Sequence, residues 1–172
     1  MIGKKRKINI NLHEIQCKIY TFHIKLKDRY MFTVAHLHPM LVHFPIAIVL
    51  VGFLADFIQV FIKKEQCFSK MGFYLLIAGT LAAIVTVLSG FLFTPEMSGV
   101  IGEVRETHEH FAVITVLLLI AASVLRTMVF VKKIENKRLT WLIFAIYALA
   151  AITVSITGFL GGNLVYTYLM PM

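Results

Sequence analysis

Four apolar stretches, near residues 39–62, 71–93, 108–131 and 140–162, constrain this chain more than anything else in it. About 20 apolar residues rising 1.5 Å each cover a hydrocarbon core of about 30 Å. Each stretch is that long. Backbone groups inside lipid must be paired within their own segment, so each stretch is predicted to be a helix, with irregular chain confined to the ends. The connections, Lys63–Lys70, Thr94–Thr107 and Lys132–Leu139, are short, so neighbouring helices run antiparallel. The predicted fold class is all-α: an integral membrane four-helix up-down bundle. Composition agrees, at 59% hydrophobic residues and a mean hydropathy of +0.82 over 172 residues, where a soluble domain has roughly 45–50% apolar residues.

The net charge of +8 does not mark a nucleic-acid protein, because the basic residues sit in the first thirty positions and in two short loops. That distribution reads as membrane topology. Lys63, Lys64 and Lys70 follow the first span, and Lys132, Lys133, Lys137 and Arg138 follow the third, so both loops are expected to be cytoplasmic. The middle connection, with Glu96, Glu103, Glu106 and Glu109 against Arg105, and the uncharged C-terminal tail are then outside. Residues 1–30 form a basic extension, distinct from a domain at 31–172. Its Lys4, Lys5, Arg6 and Lys7 would also lie outside, against the positive-inside rule, which a translation start at Met31 would resolve. The extension has no continuous apolar run, so no cleaved leader is expected. Cys17 and Cys67 form neither a CxxC pair nor a haem-attachment motif, and no role is assigned to them.

The two halves resemble each other. His38 precedes Asp56 by 18 residues, and His108 precedes Arg126 by 18. Eighteen residues are five helical turns, so each pair shares a helix face with its members roughly 27 Å apart. Ser89-Gly90-Phe91-Leu92 near the end of the second span parallels Thr157-Gly158-Phe159-Leu160 in the fourth. Two tandem two-helix repeats explain these likenesses. They place His38 and His108 at one depth and Asp56 and Arg126 at the other, where opposite charges can form a structural ion pair. Small residues at Gly79, Ala83, Thr86 and Gly90, and at Ala148, Ala151, Ser155, Gly158 and Gly162, are expected to line close helix contacts or clear space for a flat ligand.

His36, His38, His43, His108 and His110 gather at the predicted outer end of the first and third spans. Histidine in a spanning segment tends to mark a site. Pro39 suits a first helical turn, whereas Pro45 removes a later backbone bond and frees the carbonyl near Leu41. The run His38-Pro39-Met40-Leu41-Val42-His43-Phe44-Pro45-Ile46-Ala47, together with Asp56, the His108–Arg126 spacing and the closing Gly161-Gly162-Asn163-Leu164-Val165-Tyr166, resembles the bacterial domain of unknown function 2231, an uncharacterised multi-pass membrane domain. The resemblance spans 31–172 and implies fold and membrane location, not an activity.

Three readings follow. In the first the chain is a redox subunit holding haem b between histidines of the first and third spans. His43 and His108 are the expected ligands and His38 and His110 the alternatives: the 18-residue spacing favours His38 with His108, an inward kink at Pro45 favours His43. With no histidine near the other end, electrons would pass to a quinone or a partner protein. In the second the same histidines join Glu106 or Glu109 around a zinc, copper or iron ion, although no HExxH motif or Glu-x-x-His pair is present. In the third the histidines are structural and the chain is a non-catalytic subunit or scaffold. Transport needs a wider pathway than four helices give, hence a homo-oligomer. No pattern identifies a catalytic group, and enzymatic activity is left open.

Overall fold

The computed structural model describes residues 37–94 and 97–169, with side chains to residue 166. The basic extension, the Met31 start and His36 lie outside the described residues. Four helices are long and apolar enough to cross a membrane. Helix α1 is Leu37–Phe61, α2 is Gln66–Phe93, α3 is Val100–Lys132 and α4 is Lys137–Asn163, which continues into a π-helical turn at Leu164–Leu169.

All four helices begin before their apolar stretches, α3 earliest, at Val100 where 108 was expected. The added turns are polar, and what holds them is local. Thr107 Oγ1 donates to the Glu103 carbonyl and Arg105 pairs with Glu109 one turn on. Asn136 caps α4 by accepting from the Arg138 and Leu139 amides. Hydropathy marks the part of a helix that lipid covers, and these turns extend past it.

Helix α1 comes in two pieces, Leu37–Leu41 and His43–Phe61, separated at Val42. Proline 45 is buried and gives no amide to the Leu41 carbonyl. The Thr86 hydroxyl of α2 takes its place at 3.5 Å. A break in lipid is thus satisfied by a neighbouring helix, as it must be.

The helices close into a ring in which α1 packs on α2, α2 on α3, α3 on α4 and α4 on α1, the two hairpins α1–α2 and α3–α4 being the most extensive pairs. The core of Val49, Leu76, Ala83, Leu119, Ala122, Tyr147, Ala150 and Val154 runs down the centre. The expected stripe on α2 is there, with Gly79, Ala83 and Thr86 buried. On α4 the buried line is Ile143, Tyr147, Ala150, Ala151 and Val154, while Ser155 of the expected stripe is exposed. Composition alone misplaced that face because α4 is apolar on every side.

Polar groups in the core are all matched across helices. Thr80 and Ser123 share a hydrogen bond of 2.7 Å between α2 and α3, and the fully buried Tyr147 donates to the Val49 carbonyl at 3.1 Å. An aromatic seam of Phe53, Phe61, Trp141 and Phe144 joins α1 to α4 toward the end opposite His38.

Candidate functional site

At the end opposite the histidines, Asp56 of α1 is 1% exposed and accepts both terminal nitrogens of Arg126 from α3. Nη2 lies 2.8 Å from Oδ1 and also 3.1 Å from the Ser69 carbonyl of α2. Gly72 of α2 makes room, since a Cβ there would run into the Asp56 carboxylate. Bidentate geometry matches the planar guanidinium to the carboxylate and ties three helices together.

At the other end, His38 of α1 and His108 of α3 face each other across the bundle. Their ring centres are 6.4 Å apart and their planes lie at 82°. Each ring is fixed by the second helix of its own hairpin. His38 Nδ1 lies 3.1 Å from the Thr86 carbonyl and 2.9 Å from Ser89 Oγ, and the Ser89 hydroxyl donates to the same carbonyl at 2.7 Å. His108 Nδ1 lies 3.0 Å from the Thr157 carbonyl. A carbonyl only accepts, and the Ser89 proton is already engaged, so in both rings the proton sits on Nδ1. Nε2 then carries the lone pair. Neither Nε2 has a hydrogen-bond partner among the described residues.

A glycine lies against each ring. A Cβ on Gly90 would sit 2.9 Å from His38 Cε1, and one on Gly161 would sit 3.0 Å from His108 Cε1. The pattern is therefore Thr86 with Gly90 in α2 and Thr157 with Gly161 in α4, each a threonine four residues before a glycine. The likeness read from sequence, Ser89–Leu92 with Thr157–Leu160, is displaced by three residues from the one the histidines use. Gly158 instead lets Ile46 of α1 approach.

Both histidines line a cavity of ≈ 290 Å³ whose wall is mostly apolar, with Ala83, Ala112, Val116 and Val154 toward the core and Met97, Arg105, Glu109 and Tyr166 nearer the mouth. That volume is close to the lower end of the roughly 300–1,000 Å³ range of small-molecule sites. Arg105 gives Nη2 to Glu109 at 2.9 Å. Its Nε is buried without a partner among the described residues, which in a finished site costs about 1–3 kcal/mol.

The other expected ligands are placed differently. His43 is exposed at the cavity rim, its Nδ1 donating to the Pro39 carbonyl at 2.9 Å. It lines the cavity with His38 and His108 but is exposed where they are half-buried. His110 is exposed and lies off the cavity wall. Glu106 is also exposed. Among the described residues no three side chains of the His, Cys, Asp and Glu types converge. The anchors Thr86, Ser89 and Thr157 and the cavity arginine were not singled out as site residues from the sequence.

Comparison with known proteins gives one positive result. The family model described as predicted membrane protein (DUF2231) matches residues 35–171. No curated protein and no solved structure matches the chain. The matched segment takes in both histidines, the cavity and the ion pair, and the chain belongs to the DUF2231 family of membrane proteins.

Proposed function

We propose that the chain is a b-type haem-binding membrane subunit in which His38 and His108 would hold the iron, with the haem supplying one-electron transfer within the membrane. The observation behind this reading is the pair of Nε2 atoms left as acceptors by Nδ1–H bonds to the Thr86 and Thr157 carbonyls. Ligating histidines characteristically give the other ring proton to a carbonyl or carboxylate, which fixes ring orientation and raises basicity. The spacing supports it as well. An imidazole nitrogen binds a transition metal at about 2.0–2.1 Å and lies ~1.1 Å from its ring centre, so an ion shared by two opposed rings sets the centres about 6.2–6.4 Å apart. The rings here are 6.4 Å apart.

Haem also suits the donor count. A zinc site takes three or four protein ligands, whereas a porphyrin supplies four nitrogens and asks the protein for one or two. Gly90 and Gly161 let each imidazole lie directly against its neighbouring helix, which helps fix the rings that would hold the iron. A single haem at one end of the bundle needs a quinone or a redox protein to complete the electron path. We place the basic loops in the cytoplasm and the histidine end outside, in the bacterial inner membrane, on the positive-inside rule. The matched Thr–Gly pairs favour two tandem two-helix units.

A second reading, a scaffold whose histidines only tie each hairpin together, is favoured by the same Thr86 and Thr157 bonds, but it leaves both Nε2 atoms and the cavity without use. The two separate by spectroscopy on the full chain purified in detergent from haem-replete cells. The expected reduced-minus-oxidised spectrum has Soret and α bands that His38→Ala or His108→Ala removes and His43→Ala or His110→Ala leaves. Wild-type protein with no such bands would falsify the haem reading.

A further inference from the structure

We infer that the cavity ligand carries a free carboxylate and that Arg105 is the residue that binds it. This rests on the haem reading and narrows it, because it distinguishes a tetrapyrrole with ionised acid side chains from its neutral esters and from an uncharged quinone.

Arg105 precedes His108 by three residues, which places it on the same face of α3 about 4.5 Å further toward the mouth. It lines the cavity with His38 and His108. It is also the one Lys or Arg among the described residues at this end of the bundle. Only 16% of its side chain is exposed, and Nε is buried with no partner among the described residues, although Nη2 is held by Glu109. The bond to Glu109 thus fixes the guanidinium without saturating it. With Nε sealed away and Nη2 held by Glu109, what Arg105 offers a ligand is the guanidinium charge beside a cavity wall that is otherwise largely apolar.

A neutral ligand would gain nothing from that charge. A carboxylate on the ligand edge nearest the mouth would pair with it through a charge-assisted bond, among the strongest hydrogen bonds a protein makes. Glu109, which also lines the cavity, opposes a second anion there, so one carboxylate is accommodated against the arginine. The remainder of the ligand meets Ala83, Ala112, Val116 and Val154, an environment for an apolar macrocycle.

The test titrates full-length, cofactor-depleted protein in detergent with ferric protohaem and, separately, with its dimethyl ester, and follows the low-spin Soret band. The wild type is expected to bind the free acid at least about tenfold more tightly than the ester, since a hydrogen bond to a charged group is worth about 1.5–3 kcal/mol. Arg105→Gln is expected to bind both equally, and its retained affinity for the ester reports that it is folded. Arg105→Lys, which keeps the charge, is expected to keep part of the preference. An Arg105→Gln protein that favours the free acid as the wild type does overturns the inference and leaves the haem reading standing. Wild-type protein that binds neither compound with a low-spin spectrum overturns both.

Discussion

Removing Arg126 tests whether the ion pair holds the bundle together. Asp56 is 1% exposed, and both its oxygens are taken by Arg126. Arg126→Met leaves a carboxylate against Gly72 with no cation to balance it. Stranding one member of a buried pair costs about 3–5 kcal/mol, which is two to four powers of ten in the unfolding equilibrium at about 1.4 kcal/mol each. Asp56→Asn should cost less, since the 17% exposed guanidinium keeps its bond to the Ser69 carbonyl and is the member already nearer solvent. Removing both charges together, in Asp56→Asn with Arg126→Met, should be milder than Arg126→Met alone, because the pair's attraction mostly offsets its own desolvation. The coupling energy from the full cycle should be about 2 kcal/mol or more. The measurement is the loss of helical circular dichroism on titrating mixed micelles with SDS, for the four proteins side by side. If Arg126→Met costs under about 1 kcal/mol, or the double variant is no more stable than that single one, the buried-pair argument is wrong for this protein.

Two further outcomes follow from the packing. Gly161→Ala places a methyl 3.0 Å from His108 Cε1, whereas the adjacent Gly162→Ala meets nothing within 4 Å; thermal unfolding should show the first destabilised by about 1–3 kcal/mol and the second stabilised by about 0.5–1 kcal/mol, and equal effects would contradict the placement of His108. Thr80→Val and Ser123→Ala break a 2.7 Å bond between α2 and α3, so their double-mutant cycle should give a coupling near 0.6 kcal/mol and no more than about 1.7, read by the same SDS titration.

The number of crossings was legible because hydropathy counts residues in lipid, and lipid allows only helices there. The rotation of each helix about its axis was not. His38 and His43 are five residues apart, about 140° around a helix, and His108 and His110 are about 200° apart, so the two members of each pair cannot present the same face to the bundle. In helices apolar on every side, nothing in hydropathy says which of them faces inward. The 18-residue spacing linked His38 and His108 to their own acid and base, and that is the pair the bundle turns inward. A further signal was present in the sequence: Thr86 precedes Gly90, and Thr157 precedes Gly161, by four residues. It becomes meaningful only when each threonine carbonyl is seen against an imidazole. Arg105 was read as a loop charge because the α3 turns it occupies lie beyond the apolar run.

Both imidazoles are oriented from within their own hairpins, His38 by α2 and His108 by α4. The first hairpin can therefore leave the insertion machinery with its histidine already aimed, before α3 has been synthesised. Neither hairpin holds both histidines, so the two imidazoles come together only where the halves meet, as Asp56 and Arg126 do. A chain split between α2 and α3 and expressed as two pieces would carry everything needed to rebuild the site by association. Any molecule gripped by both histidines marks a bundle that has finished assembling.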